Sequence, residues 1–181
     1  RHAYDQYGQP IVTLDAIGGR EEFEYDAETH GFLIQERTIL SGYAAIYSVE
    51  WDVGQGLVLH ATDYNGNESS FTYDGLGRLL SVIDVGGSEA LPKFRYEYFF
   101  GSTDYPIQTV VTHQLVDAAS GEYRTAWEYT DGLERVRLQK TVAEAEYGFL
   151  GQNWYRFSPR GGQTHSYQGF SSSHEGFEPP P

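Results

Sequence analysis

Apolar and polar positions alternate along much of the chain. Glu68–Tyr73 puts Phe71 and Tyr73 on one face and Ser70 and Thr72 on the other. Tyr43–Trp51 does the same, with Ala45, Tyr47, Val49 and Trp51 sharing a face. A period of two predicts half-buried β-strands. With aromatic and β-branched enrichment it also places strands at Ile11–Leu14, Glu21–Tyr25, Phe32–Ile39, Leu57–Ala61 and Arg78–Ile83. Longer strands are predicted at Phe94–Phe100, Ile107–Val116 and Glu122–Tyr129. The most helix-like run, Thr141–Glu146, is too short to stand as a helix. The expected fold is all-β, an antiparallel meander of β-hairpins forming a curved sheet strip.

The punctuation between strands recurs. Asn65-Gly66 is a strong hairpin signal, read as a turn whose two central residues both take φ > 0. Asp74-Gly75-Leu76-Gly77 turns the chain again, with the Asp74 carboxylate placed to accept backbone N–H groups and Gly77 to take a left-handed φ. Tyr4-Asp5, Tyr25-Asp26 and Tyr73-Asp74 repeat the pair, and Trp51-Asp52 stands where another Tyr-Asp is expected. Asp15–Gly19 aligns with Asp63–Asn67, and Tyr129–Arg135 is a degenerate copy of Tyr73–Arg78. A period of roughly twenty residues predicts an array whose units bury their apolar faces only by stacking on neighbours. The signature positions are Asp63, Asn65, Gly66, Tyr73, Asp74, Gly75, Gly77 and Arg78, with Tyr25, Asp26, Asp131, Gly132 and Arg135 in other copies. Arg78 is expected to pair with Asp74 or lie over the Tyr73 ring, locking the turn.

The chain has 181 residues, enough for one all-β domain, with 21 Gly to supply its turns. Three stretches are expected: hairpin repeats over 1–84, longer irregular hairpins over 85–150, and a terminal strand pair with a Pro-rich tail over 151–181. The net charge of −14 argues against nucleic acid and anionic lipid as partners. No apolar run is long enough to insert in a membrane, and no signal peptide is visible. The absence of cysteine excludes disulfides and thiolate chemistry. The absence of methionine suggests a piece excised from a longer chain, with Glu178–Pro181 as a linker or boundary.

Candidate chemistry is sparse. Asp63–Glu68 has the oxygen-rich look of a calcium loop, but lacks EF-hand spacing, and the turn already accounts for its Asp, Asn and Gly. The six histidines have no metal-ligand spacing. There is no G-x-S-x-G elbow and no P-loop. A glycosidase pair such as Asp63 and Asp74 has only carboxylate abundance behind it. Trp51, Trp127 and Trp154 are the platforms a sugar-binding surface would use. No catalytic residue, cofactor or metal is therefore assigned, and the chain is not expected to be an enzyme.

The pattern Asp63-x-x-Gly66-Asn67, a short strand, then Tyr73-Asp74-Gly75-Leu76-Gly77-Arg78-Leu79 resembles the YD-repeat, or Rhs, family, over most of residues 1–142. Asp131–Arg135 followed by Val142-Ala143-Glu144-Ala145 is similar to a segment of the B component of bacterial Tc insecticidal toxins. So is Trp154–Pro181, with Tyr167-Gln168-Gly169-Phe170 and Phe177-Glu178-Pro179-Pro180. Two departures are Glu134 in place of Gly, which a left-handed turn strains by about 1 kcal/mol, and Gly169 in place of Pro. The resemblance implies a strip that winds into a hollow shell around a toxic polypeptide, so this chain would be a wall segment. The implied partners are the rest of a parent YD-repeat chain, the enclosed toxin polypeptide and other toxin-complex subunits, in a secreted or cell-surface setting. The family's self-cleavage motif has no counterpart here. A cell-surface adhesin or carbohydrate-binding module, and a glycoside-cleaving enzyme, are the other readings.

Overall fold

The computed structural model describes residues 1–101, 107–143, 148–167 and 169–180. The described residues contain strands and turns and no helix. The loop expected through Pro106, the helix-like run beyond Ala143, Gln168 and Pro181 lie outside them. Two compact units divide the chain, Arg1–Ala90 and Leu91–Pro181.

The first unit is an antiparallel meander of eight strands: β1 (His2–Tyr4), β2 (Pro10–Leu14), β3 (Arg20–Tyr25), β4 (Leu33–Leu40), β5 (Tyr43–Asp52), β6 (Leu57–Thr62), β7 (Glu68–Tyr73) and β8 (Leu79–Ile83). Each pairs with its neighbours in sequence. Alternation sets the faces: Phe71 pairs with Val82 while Thr72 pairs with Ser81 and hydrogen-bonds to it on the other side of the sheet. Among the described residues of this unit only Asp26 and Val49 are buried. It is one layer thick, so its apolar side chains are covered only by their neighbours along the sheet.

Register slips by one residue beside the aromatic at or next to a strand's end: at Tyr4, Tyr25, Trp51 and Tyr73. Such bulges sharpen the local twist and re-aim a side chain.

The second unit starts with β9 (Phe94–Phe99), β10 (Gln108–Asp117), β11 (Glu122–Thr130), β12 (Val136–Val142) and β13 (Phe149–Gln152), again paired in sequence order. The chain then leaves the sheet as a separate hairpin, β14 (Trp154–Phe157) with β15 (Gln163–Tyr167), and returns as β16 (Phe170–Ser172) against β13. Return is possible because Gly151 has no side chain; a Cβ there would lie 2.5 Å from the Phe170 ring. Here a core exists: Val111, Trp127, Tyr129 and Leu138, with Phe149, Trp154, Phe170 and Phe177 against it. β1, β12, β13 and β16 are strands beyond those the alternation pattern predicts.

Candidate functional site

The recurring feature is the turn. At Asp63 the carboxylate Oδ1 accepts from the N–H groups of Asn65 and Asn67 at 2.7 and 2.9 Å, while Oδ2 takes the Asn67 side-chain amide. The backbone closes around it, with Gly66 N–H on the Asp63 carbonyl and Asp63 N–H on the Asn67 carbonyl. Gly66 takes φ 80°, and Asn65 does not take a positive φ. This corrects the two-residue reading of Asn65-Gly66: the loop has three residues, a type I turn closed by a left-handed glycine, which a strand-end Asp stabilises better than a tighter turn would.

The same bonds recur at Asp5, Asp15, Asp74 and Asp131. The left-handed position is Gly8, Gly18, Gly77 and, in the last copy, Glu134 at φ 57°. Arg78 pairs with Asp74 at 2.5 Å and Arg135 with Asp131 at 2.6 Å. Arg135 also covers the Phe157 ring. Gly75 and Gly132 follow the aspartate at the turn tip, with open space where a Cβ would stand. Asp26 closes a wider loop, accepting from Thr29, Gly31 and Phe32. With Asp52, Asp84 and Asp117, every described aspartate accepts an N–H of its own turn. The electrostatics follow. The Phe32 N–H, with Thr29 and Gly31, holds the Asp26 carboxyl well below the usual carboxylate range. The Asn67 amide lowers the Asp63 carboxyl, as Arg78 does for Asp74, the Ala119 N–H for Asp117 and Arg135 for Asp131.

The aromatic before the aspartate has its own partner. The Tyr25 hydroxyl donates to the Pro10 carbonyl at 3.2 Å, and the Tyr73 hydroxyl to the Val58 carbonyl at 2.8 Å. Trp51 Nε1 donates to the Leu33 carbonyl at 2.8 Å. Each reaches the start of the preceding strand, so Trp51-Asp52 does the work of a Tyr-Asp pair. Burial pushes the Tyr73 and Tyr25 hydroxyls up, with Asp5 adding to the effect at Tyr25.

One site was invisible in the sequence reading. Lys140 on β12 is fully buried, and its ammonium donates to Ser172 Oγ at 2.8 Å, the His174 carbonyl at 2.9 Å, the Gly176 carbonyl at 2.6 Å and Glu178 Oε1 at 3.1 Å. Every second residue of 172–178 thus points an oxygen at one cation. Tyr129 donates to the Glu175 carbonyl, and Phe177 lies against the Tyr129 ring. His174 pairs with the other Glu178 oxygen at 2.9 Å. Burial pulls the Lys140 ammonium below its ordinary value, and Glu178 opposes that shift. Partial burial would raise the Glu178 carboxyl, but Ser172, Lys140 and His174 outweigh it and hold it low. A lysine between three oxygens of the chain and a carboxylate is an ammonium that staples a strap onto the sheet.

The tryptophans offer no platform. Trp127 is 6% exposed with Phe149 edge-on, Trp51 is half-buried against Phe32, and Trp154 is half-buried against Tyr167. Large aromatics do more for this sheet as filler than as a flat surface. Among the described residues no group of His, Asp and Glu is arranged to hold a metal, and no helix is long and apolar enough to cross a membrane.

Residues 51–89, from Trp51 through the Asp63 and Asp74 turns, match the RHS repeat. The chain carries an RHS repeat. Its fold is similar to that of a chain in the Photorhabdus luminescens Tc holotoxin pore, with a TM-score of 0.65 at 16% identity. That match covers 97% of this chain and 9% of the other. A second similarity is to TcdB2-TccC3 without its hypervariable C-terminal region: TM-score 0.50, 14% identity, 88% of this chain and 10% of that one. The chain thus spans about a tenth of the length of the toxin chains it matches. No curated protein sequence matches it.

Proposed function

We propose that this chain is a wall segment of a YD-repeat shell that encloses a toxic effector polypeptide, as part of a secreted or cell-surface Tc/Rhs-type toxin. The observation that carries the reading is the conjunction of the Asp-capped turn, which adds strands side by side, with a fold match to a Tc holotoxin chain along 97% of the sequence. A strip of this kind has unpaired strand edges at its ends, and edges are made safe by closure or by continuation into further strands. Its partners on this reading are the flanking YD-repeat chain, the enclosed polypeptide and other toxin subunits. Its role is mechanical: the signature residues Asp63, Asp74, Tyr73, Gly77 and Arg78 spend their polar atoms on the turn and the neighbouring strand. Electron microscopy of the chain within its full-length parent tests this. A closed chamber with residues 1–180 in its wall is the expected result; a flat or extended array overturns it.

A further inference from the structure

Asn65-Gly66 carries chemistry that its turn does not need. It is the one Asn-Gly pair in the chain. The other copies of the turn put Tyr7-Gly8, Ile17-Gly18, Leu76-Gly77 and Leu133-Glu134 at the same two positions, and they make the same bonds to the aspartate. Only here does a carboxamide stand next to a backbone nitrogen that a glycine leaves unhindered. When the Gly66 nitrogen attacks Asn65 Cγ, the N–Cγ bond forms and the Cγ–Nδ2 bond breaks. The proton lost by Gly66 goes to Nδ2, ammonia leaves, and a cyclic succinimide remains. Water then adds to either ring carbonyl and reopens the ring, giving aspartate or isoaspartate at position 65. Water is the one co-reactant.

The fold holds the nucleophile back. The Gly66 N–H donates to the Asp63 carbonyl at 2.9 Å, and the Asn65 N–H to Asp63 Oδ1 at 2.7 Å. The backbone on both sides of the carboxamide is thus tied to one residue. Asn65 itself is exposed, so solvent already reaches its side chain. Asp74-Gly75 and Asp131-Gly132 have the atoms for the same ring closure. Their carboxyls would have to lose water as neutral acids, and Arg78 and Arg135 hold both ionised. The neutral Asn65 amide has no such protection beyond the turn.

We propose that Asn65-Gly66 is a latent deamidation site: the Asp63-capped turn keeps it unreacted, and opening of the β6–β7 hairpin exposes it to one-way conversion. The consequence is local and cumulative. Isoaspartate routes the backbone through the side-chain carbon and lengthens a three-residue loop, which pulls the Asn67 N–H off Asp63 Oδ1. Either product adds a negative charge near Asp63 and Glu68. β6 and β7 are matched only at Thr62 with Glu68, Ala61 with Ser69 and His60 with Ser70, so little pairing remains once the turn fails. The site records time spent open, and it is where ageing parts two neighbouring strands.

Peptide mapping by mass spectrometry, with isoaspartate separated from aspartate by chromatography, reads the reaction on the whole chain. Folded wild type at neutral pH is expected to convert position 65 about tenfold more slowly, or slower still, than the same chain unfolded in urea. Asp63→Ala, folded by circular dichroism, should lose most of that protection, while Asp131→Ala should keep it. Wild type gives a second reading without a variant: in urea below the unfolding midpoint, conversion should rise in step with exchange of the Gly66 amide. The purified isoaspartate product should exchange its β6 and β7 amides faster than wild type. A folded chain that converts as fast as the unfolded one, or at a rate unrelated to Gly66 exchange, overturns the protection by the turn. An unfolded chain that gives no product at position 65 overturns the site, and a product with unchanged β6 and β7 exchange overturns the weakening.

Discussion

The two units solve one problem in opposite ways. In Arg1–Ala90 a sheet of eight strands stands with Val49 as its one buried apolar residue among those described. In Leu91–Pro181 the chain doubles back, pairs β16 with β13 and ties the 172–178 strap to Tyr129 and Lys140, which are fully buried together with Leu138. The first unit is held by turn chemistry and by aromatic side chains hydrogen-bonded one strand back. The second adds a core. Local hydrogen bonds are individually modest, so a one-layer strip depends on many of them, and a covered sheet depends on a few large contacts.

Acid should have the largest effect, because it acts on both units. The carboxyls of Asp26, Asp63, Asp74, Asp117 and Asp131 are held below their ordinary value in the folded chain. The unfolded chain takes up protons first, so the stabilisation is complete above the ordinary carboxylate range and is lost as pH falls through the folded values. Melting curves from about pH 6 to about pH 3 should shift steadily downward. Asp74→Asn, which keeps an acceptor and cannot titrate, should flatten that slope.

Lys140→Ala should separate the units. It leaves three oxygens and the Glu178 carboxylate without their cation, at a cost of about 3 kcal/mol or more. Amide exchange should rise across β11–β13 and the strap and stay unchanged in β2–β8. A uniform rise would show that the strap is not an independent support. Core truncation gives a finer contrast. Leu138→Ala should cost about 3 kcal/mol, and Val49→Ala about 1 kcal/mol, read from denaturant midpoints. Tyr73→Phe removes one bond to the Val58 carbonyl and should lower stability by about 1 kcal/mol. The smallest change is a gain: Glu134→Gly relieves a left-handed glutamate and should raise the melting temperature by about 2–4 °C.

Most of the first unit was legible because its rules are local. Asp at the first turn position and Gly at the fourth are demanded within five residues, so Asp63–Asn67 and Asp74–Arg78 announce themselves. The type of turn at Asn65-Gly66 was misread because Asn-Gly also suits a tighter loop, and only the Asp63 side chain decides between them. The strap was not legible. Lys140 shares the inward face of β12 with Val136 and Leu138, and that apolar register was the available hint. Its partners lie 32 to 38 residues on, and two are backbone carbonyls, which leave no trace in residue identity. What covers the tryptophans was not legible for a similar reason: whether a large ring is covered depends on distant chain, as Trp127 under Phe149 shows.

Because successive turns fall on opposite rims, one repeat advances the strip by two strands and returns to the rim it left. A tandem duplication of a period therefore lengthens the protein without exchanging inside for outside, whereas gaining or losing a single strand would turn over everything that follows. Growth by whole repeats is the mutational path of least disruption for such a chain, and variation in length among its relatives should come in even numbers of strands.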